Sequence, residues 1–410
     1  MADMADTRLA IIDGVRTPFC KMGTDLASLA ADELGRIAVS ALLAKTGLDP
    51  ALVDEVIIGC VCQPFDATNI ARVIALRAGI PESVPAATVN RNCASGMESL
   101  TAAAERMAAG RGSVFIVGGT ESMSNVPLLY RPEAARKFGK LAKAKSASES
   151  LMAMARFRVG DFRPRIGLQM GLTDPVSGLN MGETAELLAR ENGITRGMQD
   201  TFAHRSHGRA VAAAATMADE ICPVYVGGTA ITRDNGPRAE SSPAGLAKLR
   251  TVFDKYGTVT AGNSSQVTDG AVALLVMSAP RAAALGLTPL GFLTQYAYTG
   301  CDPAHMGLGP VNAIAKASAN AGLKVEDADL VEINEAFAAQ VLAVLQRVPV
   351  PEEKLNVNGG AIALGHPVGA TGARLVLTAL HELRRRDTRR ALVSLCIGGG
   401  QGAALWLERN

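Results

Sequence analysis

Residues 89–107, VNRNCASGMESLTAAAERM, and the run SVFIVGG at 113–119 are answered much later by NGGAIALGHPVGATGARL at 358–375 and ALVSLCIGGG at 391–400. In each pair a glycine-bearing turn opens an alanine-rich helix, and an apolar strand follows. The correspondence extends outward. DELGRIAVSALLAKTGL at 32–48 has apolar residues at helical spacing and a Lys-Thr-Gly stop, and DEVIIG at 54–59 reads as a short strand. VNAIAKASANAGL at 311–323 repeats that helix, and DLVEIN at 329–334 repeats that strand. Four elements recurring in one order describe a duplicated α/β unit. Each copy is expected to form a mixed sheet covered by helices on both faces, with the two copies packed about a pseudo-twofold axis. Turns far apart in sequence then share one pocket.

The composition agrees with such layers. A chain of 410 residues is too long for one comfortable core and implies two or three domains. Hydrophobic residues make up 48%, with 42 glycines and only 4% aromatics, which suits glycine-turned layers of small aliphatic side chains. Lys and Arg number 41 against 39 Asp and Glu, a net charge of +2. That balance argues against a general nucleic-acid footprint but leaves room for a local basic patch. The opening MADMADTR lacks the basic-then-apolar pattern of a secretory signal, no apolar run reaches the roughly 20 residues of a bilayer span, and the final LERN carries no sorting tail. Seven cysteines are scattered through the chain; Cys60 and Cys62 stand two apart with no second close pair, so no metal site is expected. Free thiols in a reducing compartment make a cytoplasmic location the expectation.

A segment of different character separates the copies, from about Asn125 to Ala261. Between 136 and 165, Arg136, Lys137, Lys140, Lys143, Lys145, Arg156, Arg158, Arg163 and Arg165 face only Glu149 and Asp161, with the apolar LMAMARF at 151–157 among them. A solvated helix face and a surface for phosphate groups, an anionic membrane or a partner subunit both fit this pattern. MGETAELLAR at 181–190 and TFAHRSHGRAVAAAA at 201–215 read as helices, and Gly227-Gly228, Gly236-Pro237 and Ser242-Pro243 mark loops.

Four turn-like positions carry reactive or strongly polar side chains. Cys93 falls at a helix N-terminus, where unpaired N–H groups and the helix dipole favour thiolate. A nucleophile and a buried small hydrophobe both remain open there. His366 lies in GGAIALGHPVGATG at 359–372, where Pro367 fixes the backbone behind it and glycines crowd both sides, a setting that core filler does not need. Cys396 ends an apolar strand at a glycine-rich loop able to offer N–H groups to an oxyanion. Asn334 and Glu335, in VEINEAFAAQ at 331–340, stand where the paired strand of the second copy stops. His204 and His207, three apart on a helix, suit the surface or packing, and His305 and His381 carry no signal. The four loci come from matching strand ends of one scaffold, which favours catalysis.

The blocks NCASG at 92–96, MGETAE at 181–186, TVTAGNSSQVTDGA at 258–271, NEAFA at 334–338, NGGAIALGHPVGATG at 358–372 and CIGGGQG at 396–402 together give a sequence that resembles the thiolase family over essentially its whole length. The resemblance implies an α/β thiolase fold with a five-layered αβαβα core. Its N-terminal half would be 1–125 with 262–287 and its C-terminal half 288–410, and an inserted loop domain, 126–261, would bind most of the coenzyme A. It implies that Cys93 carries the acyl group, that His366 activates it, and that Cys396 acts as acid and base. Asn334, through a water and with His366, would stabilise the thioester-side oxyanion, and the N–H groups of Cys93 and Gly398 would form the other oxyanion site. Ser265 matches a serine near the pantetheine amide, and Met181 matches a methionine of the substrate pocket. Coenzyme A is thereby a substrate, with no tightly bound cofactor.

Competing chemistries lack their motifs. No G-x-S-x-G elbow with its partners in order is present, and no G-x-G-x-x-G opens a strand–helix unit near the N-terminus. Ketosynthase-type condensing enzymes resemble the same scaffold but use two histidines beside the cysteine, whereas Asn334 fills the second position here. Short-chain acetoacetyl-CoA thiolases commonly carry a histidine where this chain has Asn180, and KLAKAKSASESLMAMARFR at 140–158 resembles the longer loop of thiolase subunits from fatty-acid oxidation complexes. The expectation is a 3-ketoacyl-CoA thiolase of β-oxidation acting on medium or long chains. A biosynthetic acetoacetyl-CoA thiolase is the alternative, and a non-enzymatic acyl-CoA-binding or scaffold protein a remote one. The partners implied are acyl-CoA and CoA, a second copy in a homodimer or homotetramer, and a hydratase/dehydrogenase subunit or a membrane surface at the basic loop, with no nucleic acid.

Overall fold

The first helix of each copy stops where the chain supplies a glycine. Ala31–Thr46 ends at Gly47 (φ 63°) and Gly309–Ala321 at Gly322 (φ 65°), both in the left-handed region that side chains with a Cβ rarely adopt. The computed structural model describes residues 8–410. Its main sheet has ten strands and is organised around one central joint, the antiparallel pairing of Leu9–Ile11 with Gly291–Leu293.

The same succession runs outward on each side of that joint. In the first copy, Leu9–Arg16 pairs antiparallel with Thr268–Ser278, which pairs antiparallel with Val114–Glu121, which pairs parallel with Glu55–Gly59. In the second, Gly291–Gly300 pairs antiparallel with Gln401–Glu408, then Arg390–Ile397 antiparallel, then Leu330–Ile333 parallel. Ala86–Val89 extends the first copy by one parallel strand, where the second has a single parallel bridge, Val331 to Leu355. Cys20–Lys21 adds a short ladder to Thr268–Ser278. The duplication legible in the sequence is thus the symmetry of the sheet.

Strands buried on both faces sort their side chains by parity. Val114 and Ile116 join the outer helices Ala31–Thr46 and Ile70–Arg77, while Phe115 and Val117 face the central helices. In the second copy Val393 and Leu395 face the centre, and Leu392 packs outward with Ala313, Ile314 and Ala317 of Gly309–Ala321. The layers run helices, sheet, helices, sheet, helices. The central layer holds Ser95–Ala108 from the first copy and Val368–Arg386 from the second. Glycines set how closely these two helices approach: a Cβ on Gly96 would stand 2.7 Å from the Ala373 nitrogen, and one on Gly372 would stand 2.7 Å from the Met97 nitrogen. The pair brings the two helix starts together.

Val126–Thr173 forms a second compact unit, and Asp174–Asn410 clusters with the residues up to Asn125. The second unit holds the helices Pro132–Ala142 and Ala147–Met154 and a short ladder of Leu128–Leu129 with Arg165–Ile166. Its core is aromatic: Phe138 lies 4.8 Å from both Tyr130 and Phe157, centroid to centroid, and Phe157 stacks on Phe162 at 5.5 Å. Ten Lys and Arg residues stand against three Asp and Glu in this unit. Leu151, Met152 and Met154 are exposed on its second helix. Among the described residues no helix is long and apolar enough to cross a membrane.

Candidate active site

Cys93 sits in a turn closed by its neighbours just before the Ser95–Ala108 helix. The Ser95 hydroxyl donates to the Asn92 carbonyl (2.7 Å) and accepts from the Arg91 N–H (2.9 Å), while the Asn92 N–H donates to Asn90 Oδ1 (2.9 Å). Asn92 takes φ 44°, a left-handed conformation that asparagine tolerates better than most residues. Its Nδ2 donates to the Gly398 carbonyl at 2.7 Å. One hydrogen bond therefore clamps the Cys93 turn to the loop that follows Cys396.

The electrostatics of the two thiols follow from burial. Burial pushes the Cys93 thiol up, and the N–H groups of Gly398 and of Cys93 itself, both aimed at the sulfur, offset this only in part. The thiolate expected of a cysteine at a helix N-terminus is not the resting state: desolvation of a charged sulfur outweighs two partial positive charges. Cys396, at the end of Arg390–Ile397, is almost wholly buried and pushed up strongly, first by burial and then by the nearby Cys93 sulfur. Met181, the first residue of the helix Met181–Glu191, packs in the same apolar cluster as Cys396. Its sulfur lies 3.5 Å from where a Cβ on Gly398 would be, so Gly398 leaves room beside it.

His366 stands two residues before its helix, as Cys93 does in the other copy. Its backbone N–H donates to the Gln266 carbonyl (2.9 Å), next to Ser265, whose own N–H donates to the Ala336 carbonyl (2.9 Å). The Ser265–Gln266 segment so ties the His366 turn to the loop after Asn334. His366 Nδ1 lies 2.6 Å from Thr371 Oγ1, and that hydroxyl donates to the Pro367 carbonyl at 3.0 Å. With the single hydroxyl hydrogen on the Pro367 carbonyl, Nδ1 donates to Thr371 and Nε2 keeps its lone pair, the tautomer that a base at Nε2 requires. Burial lowers the imidazole pKa to about 4, helped by the Arg374 charge, so the ring is neutral at pH 7.

Asn334 is fully buried; its N–H donates to the Ser394 carbonyl at 3.0 Å. Its side-chain oxygen and nitrogen have no partner within the protein, and neither does His366 Nε2. Leaving such groups unpaired costs about 1–3 kcal/mol each, so both side chains are free to pair with a ligand or a water. Glu335, next in the chain, accepts from the Ser206 hydroxyl (2.5 Å), Asn356 Nδ2 (3.0 Å) and the Ile362 N–H (3.3 Å). It holds up the glycine-rich approach to His366.

Sequence reasoning did not foresee Thr371 or Gln266. Thr371 follows His366 by five residues within the same motif, a spacing with no meaning until the helix start folds it back. His207 is buried, accepts from the Arg238 N–H at 3.3 Å and is lowered to about 4 by burial, a packing residue. His305 joins Asp302 and Glu191 at 2.9 Å each. Among the described residues no group of three or more His, Cys, Asp or Glu is placed to hold a metal ion.

The fold and these turns define a duplicated α/β enzyme with a cysteine-bearing turn in one half and a histidine-bearing turn in the other. Family models for the thiolase N-terminal domain and the thiolase C-terminal domain match residues 9–280 and 287–409. The chain belongs to the thiolase family and is an acyltransferase. It is 44% identical to an acetyl-CoA acetyltransferase of Chromobacterium violaceum, over 98% of this chain and 99% of that one. It is 41% identical to a 3-ketoacyl-CoA thiolase of Serratia proteamaculans, over 98% and 97%. Human mitochondrial 3-ketoacyl-CoA thiolase, solved in complex with CoA, superposes with a TM-score of 0.90 at 38% identity, covering 98% of each chain.

Proposed function

We propose that this protein cleaves 3-ketoacyl-CoA with coenzyme A, giving acetyl-CoA and an acyl-CoA two carbons shorter, through an acyl group carried on Cys93. The observation that most supports this is the clamp between the Cys93 turn and the Gly398 loop, which sets two sulfurs and two N–H donors together. In the first half-reaction His366 Nε2 takes the Cys93 proton and the sulfur attacks the C3 ketone. The C2–C3 bond breaks, and the electron pair moves into a thioester enolate stabilised by His366 and by Asn334 through a water. Cys396 protonates the enolate carbon, and acetyl-CoA leaves. In the second half-reaction free CoA gives its thiol proton to Cys396 and attacks the Cys93 thioester, whose oxyanion meets the N–H groups of Cys93 and Gly398; its collapse releases the shortened acyl-CoA and expels the Cys93 sulfur, which takes its proton back from His366. Two thiols are required because one is acylated while the other moves protons.

In this reading Met181 lines the acyl pocket, Ser265 faces the pantetheine, and the 126–261 insert within the N-terminal half holds most of the CoA as a substrate rather than a resident cofactor. Asn180 and the long basic segment favour medium or long chains in β-oxidation, and a homo-oligomer that docks a hydratase/dehydrogenase subunit or a membrane through that segment. A second reading, acetoacetyl-CoA synthesis from two acetyl-CoA, is favoured by the name of the Chromobacterium violaceum relative. Mass spectrometry after incubation with acetyl-CoA tests the acyl-enzyme: an added acetyl group on Cys93 is expected, and a label elsewhere overturns the assignment. Thiolysis rates on C4 and C16 3-ketoacyl-CoAs, followed by loss of the magnesium–enolate absorbance, separate the two readings. A strong C4 preference selects the second.

A further inference from the structure

Glu121 ends the strand Val114–Glu121, fully buried, and the reaction above makes no use of it. Its carboxylate faces donors. One oxygen accepts the N–H groups of Gly369 (2.9 Å) and Val61 (3.1 Å); the other accepts the Cys62 N–H (2.9 Å) and faces the Cys60 thiol at 3.7 Å. Among the described residues no ion pair reaches it. Burial pushes the carboxyl up, while the three N–H groups pull it back toward the ionised form.

The surroundings are backbone packed on backbone. A Cβ on Gly59 would stand 2.5 Å from the Ser95 carbonyl, one on Gly119 would stand 1.9 Å from the Gly369 oxygen, and one on Gly369 would stand 2.7 Å from the Thr120 oxygen. Two strand ends and two helix starts meet here, and the Glu121 side chain reaches into the junction. The Gly369 N–H belongs to the first turn of Val368–Arg386, where a helix has no internal acceptor and favours a negative charge. His366 immediately precedes that turn, and Thr371 lies close behind it.

We infer that Glu121 is a positioning residue: by gripping the first turn of the second copy's central helix together with the 61–62 loop of the first copy, it sets the register between the His366 and Cys93 turns. The inference rests on the proposed Cys93 and His366 chemistry. A misplacement of about 1 Å between reacting groups is enough to cost on the order of 100-fold in rate. Burial is the first cause that raises the thiols around it, and the Glu121 charge adds to that for Cys60 and Cys62 and, least of the causes, for Cys93.

Two substitutions test this. Glu121→Gln turns an amide NH2 toward N–H donors; kcat should fall about 10- to 100-fold while KM for CoA changes less than about threefold. The pH profile for iodoacetamide alkylation of Cys93 should also move to lower pH, because a nearby negative charge is gone. Glu121→Asp keeps the charge but draws back by one methylene, so kcat should fall with the wild-type alkylation profile. Circular dichroism establishes folding, and if the glutamine variant does not fold the aspartate variant decides alone. A folded variant with wild-type kcat overturns the proposal, as does lowered stability with kcat and the alkylation profile both unchanged. Turnover retained in Cys93→Ala would instead overturn the underlying reaction, whatever Glu121 does.

Discussion

The two central turns occupy equivalent places on a duplicated scaffold and are held in opposite ways. The Cys93 turn is tied by side chains to its own backbone and, through Asn92, to Gly398 of the other copy. The His366 turn is fixed by Pro367, by the Thr371 hydroxyl and by the Gln266 carbonyl. Burial then acts on the two reactive groups with opposite sign: it raises the thiol and lowers the imidazole to about 4. Both stay neutral at rest. Duplication supplies two matching places, and in the proposed reaction the side chains placed there divide the labour into nucleophile and base.

That division breaks most completely if the nucleophile is removed. Cys93→Ala should lose turnover on the order of 10⁴-fold or more and take up no acetyl label, measured by thiolysis rate and intact mass. His366→Ala should lose about 10²- to 10⁴-fold in kcat and slow alkylation of Cys93 at neutral pH, which sharpens the assignment of the base. Equal alkylation rates in the two proteins would count against it.

Acid should weaken the fold through the same residue. The unfolded imidazole titrates near 6.5 and the folded one near 4, so between those values the unfolded state binds more protons and stability falls as pH falls. His207 acts in the same direction, and each contributes on the order of 3 kcal/mol across that window. Urea midpoints at pH 7 and 4.5 measure the slope, which should be shallower in His366→Asn. Gly96→Ala, which drives a Cβ against the Ala373 backbone, should cost about 1–3 kcal/mol of stability, read as a lowered Tm. The smallest effect concerns the tautomer. Thr371→Val removes the acceptor for His366 Nδ1, and kcat should fall about tenfold with the CoA KM nearly unchanged. An unaltered kcat would show that the imidazole is oriented by something else.

Much of this architecture is legible without coordinates because it rests on local patterns. The helix stops at Gly47 and Gly322, the apolar runs at 114–117 and 391–397 and the glycine-rich turns each declare themselves within a few residues. Thr371, Gln266 and Glu121 do not, since their roles depend on partners in other segments: Gln266 meets His366 one hundred residues later in the chain, and Glu121 meets Gly369 across 248.

The sequence by itself determined the repeated α/β unit, the thiolase motifs and the turns that carry Cys93 and His366, because periodicity and turn chemistry are properties of neighbouring residues. Only the tertiary structure decided the protonation of those positions. Cys93 reads locally as a thiolate at a helix start, yet its partial burial against elements of both copies disfavours a charged sulfur, and that cost exceeds what two N–H groups return.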